Sequence, residues 1–347
     1  MSDRVLSEGA LNRALLARQL LIERGTMSLP KALERVGGIQ AQYAPSMYVG
    51  VWSRLEGFDR EALTRALERR AVVQATLMRA TIHLVSRADY WPLTAAVREP
   101  RREWYARVQR RRPDPRRMAA AARTARARLV RDGPMRRKEV EELVGRERFH
   151  GLGMWLDMVR VPPSGTWERR RADLFGLAED WVGPDDADPL EGRKLLVSRY
   201  LRGFGPATRH EVVSFTGLPL PDVDRALGGL SLRRFRSESG DELVDLPRAP
   251  LPDAETPVPP RFLPTWDASL LAHARRTGIL PEEHRSKVFN VKAPQSFPTF
   301  LVDGRVAGTW KAEGGRVRIE PFGRLARRDR DELEAEGERL AGLYAGN

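Results

Sequence analysis

Three successive stretches of this chain follow one plan: an apolar-periodic helix, a Gly-containing turn, a short helix with a polar start, a third helix, then alternating residues that read as a hairpin. In the first, LNRALLARQLLIER (11–24) predicts a helix ahead of Gly25. Ser28 is placed to cap SLPKALERVGG, with Pro30 in its first turn, and Asp59 to cap DREALTRALERR. AVVQATLMRATIHLV (71–85) then alternates like two strands joined near Leu77–Arg79. The second stretch is PRRMAAAARTARARLVRDGPMRRKEVEELVG (115–145), broken at Asp132–Gly133–Pro134, and continues through GLGMWLDMVR to a strand near Arg171–Trp181. The third is the clearest: EGRKLLVSRYLRGFG (191–205), PATRHEVVSFTGL (206–218) and PLPDVDRALGGL (219–230), then SLRRFR and DELVDLP around the turn Ser237–Gly240. Helix, turn, helix, helix and wing is the plan of a winged helix-turn-helix. The expected fold is therefore α+β, mostly helical, with three such modules in tandem over residues 1–112, 113–188 and 189–248.

Residues 249–347 depart from the plan. PRAPLPDAETPVPP (247–260) reads as a linker. FPTFLVDGRVAGTWKAEGGRVRIEPFG (297–323) alternates through two or three strands with turns at Asp303–Gly304 and Gly314–Gly315. A last helix, RDRDELEAEGERLAGLYA (328–345), is expected to lay Leu333, Leu340 and Leu343 on that sheet as a C-terminal β-rich subdomain.

Charge narrows the partner. The 347 residues carry 60 Lys+Arg against 47 Asp+Glu, a formal net charge of +13. Between Arg98 and Arg137 fifteen Arg face four acids, so most of the imbalance lies in 40 residues. A field of that size favours a polyanion. A solvated Arg-rich helix is the plainer alternative. A membrane surface fits less well, because no clean apolar stripe accompanies the charge.

Several chemistries are excluded by what is missing. With no cysteine there is no disulfide framework, thiolate zinc site or thiol nucleophile, and a cytoplasmic protein is expected. The first 25 residues lack the unbroken apolar run of a signal peptide or membrane span. The five histidines (83, 150, 210, 273, 284) fall in no metal-ligand spacing, and no glycine loop suits a nucleotide cofactor. Neither a metal nor a cofactor is expected.

One polar pair stands out, Gln40 and Gln42 around Ala41 in VGGIQAQYAP (36–45). Gly37–Gly38 should end the preceding helix and Pro45 start the next, leaving an extended link. Residues two apart then point to one side. Both amides are placed to face one ligand, or else simply to satisfy backbone groups between two helices.

At these residues the sequence resembles the AlkZ/YcaQ family of bacterial DNA glycosylases. The matching stretches are GGIQAQYAPSMYVGVWSRL (37–55), RATIHLVSRADY (79–90), RFLPTWDASLLAH (261–273) and FPTFLVDGRVAGTW (297–310). The resemblance implies three winged-helix modules curving around duplex DNA and excision of alkylated purines, including bulky or crosslinked N7 adducts of guanine. The family's catalytic element, a Gln, an apolar residue, then Gln or Asp, falls on Gln40, Ala41 and Gln42. A Gln cannot take up a proton as Asp can, so position 42 is left a positioning role rather than general-base catalysis.

The expected reaction is monofunctional hydrolysis of the N-glycosidic bond of a cationic N7- or N3-alkylated purine, by a nucleoid-associated monomer. Arg98, Arg101, Arg102, Arg110, Arg111 and Arg112 are the candidates for phosphate contacts. The hairpin around Arg79 and His83 either probes a groove near the lesion or packs. Trp266 is expected in the core, and Asp267 as the cap of ASLLAHARR. The main rival is a noncatalytic winged-helix DNA binder, regulatory or architectural; a resistance protein that sequesters a DNA-reactive small molecule is a third reading.

Overall fold

A computed structural model describes residues 4–108, 114–273, 276–290 and 295–346. The first unit comprises β1 (Val5–Leu6), α1 (Glu8–Arg18), α2 (Leu29–Val36), β2 (Ile39–Gln40), α3 (Ala44–Trp52) and α4 (Arg60–Glu68). It closes with the hairpin β3 (Val72–Thr76) and β4 (Ile82–Ser86) and the long helix α5 (Arg87–Val108). The second holds α6 (Pro115–Asp132), β5 (Met135–Arg136), α7 (Arg137–Val144), α8 (Arg146–Leu152), β6 (Met158–Arg160), β7 (Leu174–Leu177) and α9 (Ala178–Val182). The third holds α10 (Pro189–Phe204), α11 (Arg209–Thr216), α12 (Leu220–Gly228), β8 (Arg233–Ser237) and β9 (Glu242–Asp245).

The C-terminal part carries β10 (Arg261–Leu263), α13 (Arg285–Val288), β11 (Phe289–Asn290), β12 (Gln295–Ser296), β13 (Thr299–Val302), β14 (Arg305–Glu313), β15 (Arg316–Pro321) and α14 (Arg327–Ala345). Strands β10, β13, β14 and β15 form one antiparallel sheet with turns at the expected dipeptides. Leu333, Leu340 and Leu343 of α14 are buried against it, together with Val49 and Trp52 of α3. The chain is α+β, and among the described residues no helix is long and apolar enough to cross a membrane.

Five helices start where a side chain satisfies a first-turn donor, whereas Ser28, expected to cap α2, precedes it without a side-chain cap bond. Ser7, Asp59, Asp114 and Asp188 accept first-turn N–H groups of α1, α4, α6 and α10, and Thr208 with Glu211 forms a reciprocal capping box on α11. The expected helix over 11–24 differs: it begins at Glu8 and stops at Arg18. Leu20 takes a φ of 57°. Leu20 enters the apolar cluster of the first unit while Leu21 enters the large cluster shared with the third. The positive φ at Leu20 ends the helix just where the chain parts Leu20 and Leu21 between these two clusters.

The units are more interlocked than three beads on a string. One sheet of order β2-β4-β3-β6-β7-β5 joins the hairpin of the first unit to the wing of the second through β3 and β6. β1 pairs in parallel with β8, placing Val5–Leu6 in the third unit's wing. Arg18 seals the same junction with a wholly buried fork onto Asp245, at 2.6 and 2.9 Å. Helices α5 and α10 approach so closely at Gly192 that a Cβ there would lie 2.3 Å from the Pro92 carbonyl oxygen.

Near residue 267 two expectations change. Asp267 does cap the Ser269 N–H, at 2.9 Å, but the helix is a single 3-10 turn, Ala268–Leu270. Its carboxylate is mainly committed to Arg54, in a buried fork with both distances 2.9 Å. Trp266 is half-buried rather than in the core, with φ 57°.

Candidate active site

Strand β2 is set in place by the chain before and after it. Gly37 and Gly38 end α2 with φ of 80° and 82°, values that favour glycine. At Gly38 a Cβ would also sit 3.2 Å from Val85 Cγ1. Beyond them β2 runs antiparallel to β4, Ile39 opposite Leu84 and Gln40 opposite His83. The Ala41 N–H continues the ladder to the Ile82 carbonyl at 2.7 Å. Ile39 and Ala41 point into the first unit's apolar cluster. Gln40 and Gln42 therefore share the opposite face.

On that face both amide carbonyls meet the β3–β4 hairpin. Gln42 Oε1 accepts the Ile82 N–H at 2.9 Å. Gln40 Oε1 lies 3.5 Å from Arg79 Nη2, the outer limit of a hydrogen bond. Gln40 is buried while Gln42 is exposed, so the pair spans the boundary between protein and solvent. Both carbonyls retain a lone pair for a further donor. Beneath them the buried Gln74 donates to the Ala41 carbonyl at 3.2 Å and fixes the residue between the pair. Sequence reasoning missed Gln74, although a Gln among apolar residues in a strand is itself a signal.

The hairpin tip is held from the third unit. Arg79 and Ala80 have φ of 51° and 56°. Arg79 Nη1 donates to the Phe215 carbonyl at 2.7 Å, and its guanidinium lies over the Phe215 ring at 4.6 Å. Burial lowers the Arg79 pKa to about 10. These contacts make Arg79 a strut between the hairpin and α11 that also reaches Gln40.

His83 is buried, its Nδ1 3.0 Å from the Thr81 carbonyl oxygen, which makes Nδ1 the protonated nitrogen. Burial, then the charge of Arg79, lowers its pKa to about 3. Of its two expected roles the buried site supports packing: His83 presents no charge to a groove. Because its folded pKa lies below the unfolded value, the unfolded chain alone binds this proton as pH falls from about 6.5 towards 3, and stability drops over that window. Urea unfolding of wild type should lose up to about 2 kcal/mol more than His83→Gln between pH 7 and pH 5. Equal losses would refute the assignment.

The Arg candidates on α5 divide. Arg101 is buried and donates to the Thr76 carbonyl, which removes it from the phosphate contacts expected of it. Arg98 bridges Asp157 at 2.9 Å and Asp185 at 2.6 Å, and Arg102 Nε donates to the Met154 carbonyl at 2.6 Å. Arg98 and Arg102 tie α5 to the second unit, and Arg101 ties it to β3. Periodicity could not reveal this, since the partners lie across the fold. Arg110, Arg111 and Arg112 lie outside the described residues. The exposed cations of this region instead include Arg116, Arg117, Arg123, Arg126, Arg128 and Arg131 of α6 with Arg137 and Lys138 of α7.

This architecture is shared with a DNA glycosylase of known structure, Streptomyces sahachiroi DNA glycosylase AlkZ, which matches with a TM-score of 0.80 over 97% of each chain at 21% identity. In sequence the chain is 25% identical over 341 residues, 88% of each protein, to the interstrand DNA cross-link repair glycosylase of Streptomyces sahachiroi. Residues 33–343 match the family model described as DNA glycosylase AlkZ-like. The protein is thus an enzyme that acts on N-glycosyl bonds in DNA. It belongs to the AlkZ-like DNA glycosylases.

Proposed function

We propose that this glycosylase hydrolyses the N-glycosidic bond of purines made cationic by alkylation at N7 or N3, with Gln40 and Gln42 holding the attacking water. The observation that carries the reading is the shared face of the two amides, both turned to the β3–β4 hairpin. Alkylation turns the purine into a neutral leaving group, so no acid is needed to protonate it. What the enzyme then supplies is a water aligned under C1′ and dipoles that favour positive charge on the sugar. Carbonyl oxygens of neutral amides meet both needs without taking up a proton.

Arg79 acts here as a positioning residue, because its contact with Gln40 Oε1 fixes the direction of that amide. The similarity to an interstrand DNA cross-link repair glycosylase extends the reading to bulky N7-guanine adducts and crosslinks. The enzyme works as a monomer on chromosomal DNA, without a cofactor and without a covalent intermediate.

The test is single-turnover release from duplexes carrying either N7-methylguanine or uracil. Release of N7-methylguanine is expected, with uracil at least about a hundredfold slower because its departure as an anion receives no help from an acid. Efficient uracil removal would overturn the mechanism. Duplex binding with no release of N7-methylguanine or of a bulky N7-guanine adduct would favour a noncatalytic DNA binder.

A further inference from the structure

A cleft of about 570 Å³ separates the hairpin tip from the second unit. Ile82, whose N–H is held by Gln42, stands at one side, and Phe175 of β7 at another. Arg160, the last residue of β6, lines the cleft between them. Its Nη1 donates to Thr76 Oγ1 at 2.9 Å, its guanidinium lies 5.3 Å from the Phe175 ring centroid, and its Nε is buried without a hydrogen-bond partner among the described residues. A guanidinium has five N–H donors, and Thr76 takes one.

The charges around the cleft do not balance at Arg160. Its acids are engaged elsewhere: Glu141 with Arg137 at 2.7 Å, Asp157 with Arg98 at 2.9 Å, and Asp173 with Arg136 and Arg171 at 3.6 and 3.8 Å. Among the described residues no carboxylate pairs with Arg160, and burial lowers its pKa to about 10. Counted over the lining, Arg137, Lys138, Arg160 and Arg171 stand against Glu141, Asp157 and Asp173, which leaves a net charge of +1. Holding a cation out of water without a counter-charge is costly, and an anionic occupant would offset that cost. Arginine suits a phosphate in particular, which can accept two parallel N–H bonds from one guanidinium.

We propose that Arg160 is a positioning residue that grips a phosphodiester of the lesion strand in this cleft, beside the Gln40–Gln42 pair. The assignment rests on the reading that the lesion is processed at that pair. A strand whose damaged nucleotide lies under Gln42 passes the cleft mouth at Ile82. The bond to Thr76, at the end of β3, ties the gripped phosphate to the same hairpin that holds the two amides.

The experiment is a cycle of Arg160→Gln against single neutral methylphosphonate linkages, scanned one at a time on both sides of N7-methylguanine in a duplex. Affinity is read on a 2′-fluoro analogue that resists release, and rate on the ordinary lesion. One linkage should weaken wild-type binding about tenfold, as expected for one lost charge-assisted bond, and should not weaken Arg160→Gln further. Every other linkage should affect both proteins equally. Equal effects at every linkage would overturn the proposal and leave Arg160 a packing residue. Should Arg160→Gln not fold, Arg160→Lys carries the same cycle, with a smaller coupling at the same linkage expected and none refuting it. Coupling in binding without base release would uphold the subsite and defeat the proposed reaction. Release without coupling would do the reverse.

Discussion

Replacing Gln42 by Ala should lower single-turnover release of N7-methylguanine at least about a hundredfold, and Gln40→Ala should do the same, each with duplex affinity kept within about twofold. The expected size is that of losing one oriented dipole where charge develops. Affinity should survive because the basic surfaces lie on α6 and α7, on other elements. Gln42→Glu discriminates the roles further. It retains an acceptor for the Ile82 N–H and adds a base, so it should keep release and acquire a fall in rate as pH drops through the carboxylate range. Full activity in both alanine variants would remove the pair from the mechanism.

The second large effect concerns the fold around that site. Asp267→Ala should destabilise the protein by about 3–5 kcal/mol in urea unfolding, because it strands the buried Arg54 guanidinium. Arg54 also donates to Gln19 at 3.1 Å and to the Gly50 carbonyl at 3.0 Å, so one ion pair joins α1, α3 and the C-terminal part. A paired replacement, Arg54→Met with Asp267→Leu, should recover much of the loss. Burial raises the Asp267 pKa, but Arg54 and the Ser269 hydrogen bonds outweigh it and hold the carboxyl below its usual range. Its folded pKa is depressed, so this stability is present above the unfolded carboxylate pKa of about 3.9 and is lost as pH falls through the folded value. A loss under about 1 kcal/mol would contradict this account.

Local signals made the third unit and the C-terminal sheet legible in the sequence. The Thr208–Glu211 box, Gly217, and the Asp303–Gly304 and Gly314–Gly315 turns each act within a few residues. The extended link of Gln40 and Gln42 was legible for the same reason, with two glycines before it and Pro45 after. Long-range partners were not. Nothing near Gln42 indicates that its carbonyl accepts from Ile82, and nothing near Arg101 indicates that Thr76 receives it. Charge count alone treated Arg98, Arg101 and Arg102 of α5 as surface groups, whereas a guanidinium on a long apolar stem can equally serve as an internal brace. The early stop of α1 is likewise not legible locally, because the clusters that Leu20 and Leu21 enter are assembled from residues far along the sequence.

The parallel pairing of β1 with β8 also bears on how the chain matures during synthesis. Val5 aligns with Arg236, so β1 is synthesised about 230 residues before the strand it pairs with. At roughly 5–20 residues per second that wait is roughly 10–50 seconds, during which β1 has only solvent or foreign strand edges to pair with. Completion of the amino-terminal unit is thereby deferred until the third wing exists. A change at Val5 or Leu6 would be felt first in the wing of the third unit, far along the sequence from the alteration itself.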